Sequence, residues 1–198
     1  MSALAVGAVV VAYLAGSIPF GVLFARARGI DLRTVGSGNI GATNVARALG
    51  RKMGIVVFLC DAAKGFGPVL AARHFLEGRV EHGPWVVAAV GVAAFLGHLT
   101  SPFLLGRGGK GVATGFGVFL ALAAAPALIA GGLFVALYAA TRTSSIGSLA
   151  GATAVPPLLH LFGAPPAFVV AAAAMWALIV VKHRGNIARL LRRTENKV

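Results

Sequence analysis

Charge is scarce in this chain of 198 residues: Asp, Glu, Lys and Arg together make up only 12% of it, against 58% hydrophobic side chains. A water-soluble domain usually carries about a quarter charged residues, so a soluble fold is excluded as the default. Acidic residues are scarcer still, with 5 Asp and Glu against 18 Lys and Arg and a net charge of +13. The single cysteine, Cys60, lies inside an apolar segment, which excludes an internal disulfide and leaves the redox compartment unspecified. No basic residue precedes the opening apolar run and no small-residue cleavage site follows it, so that run is expected to stay as a first membrane span. Fixed-period repeats, low-complexity tails and linkers are also missing, and residues 1–198 are expected to form one integral membrane domain.

What is present is apolar sequence in long runs. About 20 such residues cross a bilayer core of roughly 30 Å as a helix. Helical spans are expected at 3–24, 54–76, 84–105, 111–125, 126–140, 146–162 and 165–181, an all-α polytopic bundle of seven transmembrane helices. Residues 111–140 read as one helix would be about 45 Å long, more than a bilayer core needs. Charge decides for the split at Pro126. With seven spans only Arg73 and Arg79 fall on one side and Lys64 within a span, while the other basic residues share the opposite face. Basic loops stay inside, which predicts that the first, third and fifth loops and the C-terminus are cytoplasmic and that the chain sits in the cell (inner) membrane. These charges lie in short loops and not along one soluble face, so nucleic acid is not an expected partner. Pro156 and Pro157 are expected to kink the sixth span.

The inner loops also hold the Gly, Ser, Thr and Asn clusters. The first reads Gly36-Ser37-Gly38-Asn39-Ile40-Gly41-Ala42-Thr43-Asn44, with Arg47 following. It fits GxGxxG literally, with Asp61 where a ribose-binding acid would fall, yet a dinucleotide fingerprint needs a preceding strand and here a membrane helix precedes it. The physics that survives is a loop whose glycines let amides converge on an anion beside neutral donors and an arginine. The second reads Gly106-Arg107-Gly108-Gly109-Lys110-Gly111 and runs into Val112-Ala113-Thr114. Gly111 stands where a Walker A loop has Ser or Thr, but a glycine-rich turn before a helix, with Lys110, remains a phosphate cradle. Asp61 and Lys64 share a helix face within a span, where charges are functional candidates unless they only pair with each other. Arg142, Ser144, Ser145 and Ser148 follow the fifth span; His183 and Asn186 share one face at the membrane entry. Beyond them Ile187, Leu190 and Leu191 alternate with Arg189, Arg192 and Arg193, the pattern of a short helix on the lipid surface. These features suit a site for phosphate-bearing substrates, and leave open either an enzyme or a transporter of small phosphorylated solutes.

Taken together, Gly16-Ser17-Ile18-Pro19, the block from Gly36 to Arg47, Asp61 to Gly65, Gly97-His98, Gly108 to Thr114, Ser144-Ser145 and His183-Arg184-Gly185-Asn186-Ile187 with Glu195 occur in an order that resembles the bacterial acyl-phosphate:glycerol-3-phosphate acyltransferases. The resemblance covers nearly the whole chain. It implies transfer of a fatty acyl group from acyl phosphate to the 1-hydroxyl of glycerol 3-phosphate, giving lysophosphatidic acid and phosphate in the first step of phospholipid synthesis. It implies catalytic roles for Ser37, Arg47, His183 and Asn186, and a phosphate loop for glycerol 3-phosphate at Gly108, Gly109, Lys110 and Gly111. Asn39, Thr43, Asn44, Lys64, His98 and Ser145 complete the expected binding set, with Glu195 structural. No cofactor and no metal are expected; membrane lipids are the remaining partners. In another class of glycerolipid acyltransferases a histidine works with an aspartate five positions later, but that position after His98 is Phe103. The chain departs from the family pattern at Ser101-Pro102, Gly106 and Arg193.

Overall fold

Pro19 has no N–H to continue a helix, and the first apolar run breaks in front of it. The computed structural model, which describes residues 2–197, accordingly starts with α1 (Ala3–Ser17) and α2 (Phe20–Arg26). The carbonyls that the break releases are both caught by other segments. Ser101 Oγ donates to Ser17 O at 2.6 Å, and Lys64 Nζ donates to Ile18 O at 2.7 Å. After the first loop come α3 (Ala42–Leu49), α4 (Arg51–Phe75), α5 (Gly83–Leu99) and a 3-10 turn at Pro102–Leu104. Then follow α6 (Val112–Leu122), α7 (Ala124–Thr141), α8 (Ser144–Leu161), α9 (Pro166–Lys182) and α10 (Arg184–Leu191).

The all-α class is as expected, and each expected span is helical over most of its length, the first broken at Pro19 and the third ending as an α-helix at Leu99. The apolar stretch 111–140 does divide. At Ala123 the backbone turns extended (φ −156°, ψ 94°), and α7 folds back on α6. Gly131 lies against the Phe116 ring, so close that a Cβ there would stand 3.0 Å from it. In one continuous helix those residues would be about 22 Å apart. Crossing is a separate matter from helicity. Among the described residues four helices are long and apolar enough to span a membrane (Ala3–Arg26, Arg51–Phe75, Gly83–Leu104 and Ala124–Thr141), or up to five if α9 and α10, bent by 58°, count as one. By this measure the expected count of seven is not reproduced. At 11 residues α6 spans about 16 Å, and α8 carries Ser144, Ser145, Ser148, Thr153 and His160 among its apolar residues.

The helices pack through small residues, as bundles in lipid do, where van der Waals fit replaces the hydrophobic drive. A Cβ on Gly16 of α1 would lie 1.9 Å from Ala94 O of α5, and one on Gly117 of α6 would lie 1.9 Å from Ala62 O of α4. The backbones touch at both points. α5 runs through the centre, with Val87, Val90 and Phe95 packed among Val118, Leu159 and Met175. Large apolar side chains on the outside, among them Leu4, Val11, Leu59, Leu128 and Val135, form the lipid-facing surface. α3 was not expected. It packs Val45 against Ala25, Leu32 and Val57, which folds the first loop down onto α2 and α4.

Candidate active site

The first loop is shaped from inside by two asparagines. Asn44, buried on α3, accepts the Ser37 N–H at 2.9 Å and donates to Leu32 O and Val35 O at 3.1 and 3.0 Å. Asn39 Oδ1 accepts the Gly41 N–H at 2.8 Å just before α3 begins. Gly36, at φ +58°, takes the left-handed backbone that lets the chain fold over Asn44, where a Cβ would meet Asn44 Oδ1 at 2.4 Å. Both asparagines are therefore occupied in holding the loop. Among the described residues the Ser37 and Thr43 hydroxyls have no hydrogen-bond partner, and both side chains line a cavity of about 520 Å³.

The second loop departs from its expected form. Gly108 N–H donates to Leu99 O at 3.2 Å and Gly109 N–H to His98 O at 3.1 Å, so these two amides face carbonyls and not an anion. A Cβ on Gly109 would stand 2.3 Å from the His98 ring and one on Gly108 2.0 Å from His98 O. These glycines let the loop pack against the end of α5. Neither lines the cavity, whereas Lys110 and Gly111 do. Gly111, at φ +82°, turns the chain into α6, whose first N–H groups have no partner within the helix.

The third group comes from the end of the chain. His183, buried where α9 bends into α10, donates or accepts through Nδ1 at 2.8 Å from Ile179 O. A carbonyl can only accept, so Nδ1 carries the proton and the Nε2 lone pair is left free. Asn186 Oδ1 accepts from Lys110 Nζ, and Asn186 Nδ2 donates to Glu195 Oε1. Ser145 Oγ donates to the same Oε1 at 2.9 Å, and Arg189 Nε to Oε2 at 2.7 Å. Arg47 Nη2 donates to Asn196 O at 3.3 Å. α3, the second loop, α8, α10 and the tail thus meet at one point.

Electrostatics follow from that enclosure. Burial pushes the Lys110 ammonium down to about 8; Glu195 opposes this, and Arg189 and Arg47 add to it. Burial also lowers His183 to about 4, helped by the Lys110 charge and opposed by Ile179 O and Glu195, so the ring is neutral at pH 7. Burial alone would raise the Glu195 carboxyl, but the hydrogen bonds from Asn186, Arg189 and Ser145 outweigh it and hold the group below the usual carboxylate range. At neutral pH the polar end therefore holds three cations, Arg47, Lys110 and Arg189, with the Glu195 carboxylate and a neutral imidazole.

From this end the cavity continues as an apolar trench past Phe58, Phe116, Leu128, Phe134 and Trp176, between helices from α4 to α9. Of the residues singled out in the sequence, Ser37, Asn39, Thr43, Asn44, Arg47, His98, Lys110, Gly111, Ser145, His183 and Asn186 line this one cavity. Lys64 does not; its ammonium is held by Asp61 Oδ1 at 2.8 Å and by Ile18 O, with the Phe20 ring 5.8 Å away. Sequence reasoning placed Glu195 as structural, and it indeed braces Asn186 and Ser145, but it also lines the cavity. Asp61, named as a functional candidate but left out of the expected binding set, lines the cavity beside His98, 3.7 Å between Oδ1 and Nδ1. The signal was a carboxylate within a span.

A family model described as glycerol-3-phosphate acyltransferase matches residues 6–193. The chain is 50% identical over 187 residues to the glycerol-3-phosphate acyltransferase of Geobacter sulfurreducens, covering 94% of each protein. It is 51% identical over 191 residues to that of Myxococcus xanthus, covering 96% of this chain and 97% of the other. Its fold is similar to the crystal structure of PlsY (YgiH), an integral membrane glycerol 3-phosphate acyltransferase, in its glycerol 3-phosphate form. That match has a TM-score of 0.92 and 40% identity, over 98% of this chain and 95% of the other. The lysophosphatidic acid form of the same enzyme matches at a TM-score of 0.89 and 39% identity, over 98% and 94%.

Proposed function

The chain belongs to the glycerol-3-phosphate acyltransferase family, a membrane-embedded enzyme of phospholipid synthesis, and on that premise we propose that its acyl donor is acyl phosphate and its site the cavity mouth at Ser37, Arg47, Lys110 and His183. The observation that carries the reading is a cavity with two ends. Cations and neutral donors from separate stretches of chain gather at one, and an apolar trench leads away from it, which suits a phosphate joined to an acyl chain. A path for small polar solutes would need polar groups along its length, and the trench has few.

Acyl phosphate is a mixed anhydride and already activated, so the site needs positioning and charge neutralisation more than a nucleophile of its own. Lys110 and Arg47 hold the phosphates, and the Ser37 hydroxyl donates to the carbonyl oxygen as it becomes an oxyanion. The 1-hydroxyl oxygen of glycerol 3-phosphate bonds to the acyl carbon, and the carbon–oxygen bond to phosphate breaks with its electron pair leaving on phosphate. The hydroxyl proton passes to the Nε2 lone pair of His183 or to a phosphate oxygen of the substrate. Asn186, fixed by Glu195, steadies Lys110. The basic loops and C-terminus face the cytoplasm, and the membrane is the cell membrane.

Purified protein is expected to form lysophosphatidic acid from acyl phosphate and glycerol 3-phosphate and none from acyl-CoA. Product from acyl-CoA alone would overturn the donor assignment. Single cysteines at exposed Arg51, Arg107 and Arg192 are expected to react with an impermeant maleimide from the same side of sealed vesicles. Labelling from opposite sides would break up the shared site.

A further inference from the structure

The apolar trench stops at one level on every helix that lines it. On α8 the lining face climbs from Ser145 to Val155, and on α9 from His183 to Ala172. The next residues on those faces, one turn further on, are Leu159 and Phe168. Neither lines the cavity, and both belong to the central core, at 0% and 2% exposure. The other two walls agree. Phe119 of α6 and Ala127 of α7 are the last lining residues toward the reversal at Ala123, and Leu122 is buried in the core beyond them.

Helix geometry gives the depth. From Ser145 to Val155 the trench runs about 15 Å along α8, and from His183 to Ala172 about 16 Å along α9. An extended acyl chain advances about 1.3 Å per carbon, so about 12 carbons beyond the carbonyl reach the floor. The wall has no slack to take up a folded chain. A Cβ on Gly151 of α8 would stand 3.0 Å from Ala130 O of α7, and one on Gly147 2.7 Å from Phe134 O, so the two backbones already meet there. Lipid is as apolar as the trench, so moving an acyl chain from one to the other gains little by transfer, and fit decides. A chain that stops short leaves part of the trench without contacts, and one that is too long must bend against Leu159 and Phe168.

We propose that Val155 and Ala172, backed by Leu159 and Phe168, are a stop that makes the trench a ruler, selecting donors with acyl chains of about 14 carbons. This rests on the acyltransferase reading above and adds which chains are selected and which residues select them.

The test is a series of saturated acyl phosphates of about 8 to 18 carbons, at equal mole fraction in proteoliposomes and with saturating glycerol 3-phosphate. Wild-type kcat/KM is expected to peak near 14 carbons, to fall about two- to threefold for each carbon removed and to be about tenfold lower by 18. Val155→Ala lowers the stop and is expected to move the peak about two carbons longer. Ala152→Leu, about one turn nearer the polar end, is expected to move it about two to four carbons shorter, and Ala172→Leu makes the same shortening from α9 where Ala152→Leu does not fold. In each variant KM for glycerol 3-phosphate is expected to stay within about twofold of wild type, since none of these residues stands at the polar end. A wild-type profile that stays flat above about 12 carbons, the result if the chain leaves the trench sideways into lipid, overturns the proposal. So does a peak that does not move, or an equal loss toward all donors in the variants, the result of a purely structural role. A wild-type protein that uses no acyl phosphate of any length defeats the donor assignment instead, and the ruler falls with it.

Discussion

Replacing Lys110 by methionine removes one charge from the polar end and leaves the stem in place. The residue stands between Gly109, packed on His98, and Gly111, at φ +82°, so the backbone has little freedom to bring another donor forward. At an effective dielectric of about 20, a cation roughly 4 Å from a phosphate charge interacts by about 4 kcal/mol before desolvation. After desolvation, a hydrogen bond to a charged group leaves about 1.5–3 kcal/mol, or roughly ten- to a hundredfold in kcat/KM for glycerol 3-phosphate. The pH dependence is a second readout. Burial holds Lys110 at about 8, so in the free enzyme the cation that binds phosphate is present below that pH and lost above it. Wild-type kcat/KM is expected to fall about tenfold per unit above pH 8. In Lys110→Met the rate below pH 8 drops and this alkaline limb disappears; in Lys110→Arg, which stays charged, the limb moves out of range. Steady-state rates with saturating acyl phosphate between about pH 6 and 9.5 measure all three. A methionine variant with the wild-type KM, or with the alkaline limb intact, would refute the assignment.

His183→Gln is expected to lower kcat about a hundredfold or more with little change in KM; an unchanged kcat would leave the substrate phosphate as the base. Since His183 is neutral above about 4, the wild-type rate that depends on it is present above that pH and lost as the ring protonates below it. Glu195→Gln keeps the shape but loses the charge that braces Arg189 and Asn186, so heat inactivation in detergent is expected to start at lower temperature and KM for glycerol 3-phosphate to rise a few-fold. Gly117→Ala places a Cβ 1.9 Å from Ala62 O, so α4 and α6 must separate, at about 1–3 kcal/mol, and a wild-type melting temperature would contradict the close approach.

The spans were legible because each is an apolar run bounded by Gly, Pro or basic residues, and a reversal, expected at Pro126 and found at Ala123, followed from charge placement alone. Where the reading fell short, the missing information was a contact between distant segments. α3 hides behind the glycine run because it is short, with Val45 its one fully buried apolar residue beside Ala42, Ala48 and Leu49, and its partners Ala25, Leu32 and Val57 lie on three other segments. Gly108 and Gly109 looked like an anion cradle because their sequence does not disclose that the His98 ring and carbonyl occupy the adjacent space. Lys64 was a sound candidate as an intramembrane charge, but the Ile18 carbonyl freed by Pro19 takes its ammonium, and one helix cannot announce what another helix releases. The same applies to His98. The aspartate that another acyltransferase class carries five residues on is absent, while Asp61 of α4 stands 3.7 Å from the ring.

The choice of partners around Arg47 and Lys110, with Glu195 paired to Arg189 instead, explains why a cation-rich, acid-poor composition suits this chemistry. Arg47 is held by the Asn196 carbonyl and Lys110 by the Asn186 amide, both neutral acceptors, so neither charge is cancelled before substrate arrives. The one carboxylate at this end, Glu195, stands a residue removed from Lys110. By accepting from Asn186 Nδ2 it fixes which way the amide faces and leaves Oδ1 for the lysine. A carboxylate placed directly on Lys110 would compete with phosphate for the same proton donors. Set one step back, it orients the cation through a neutral relay and leaves that charge available to the leaving and acceptor phosphates.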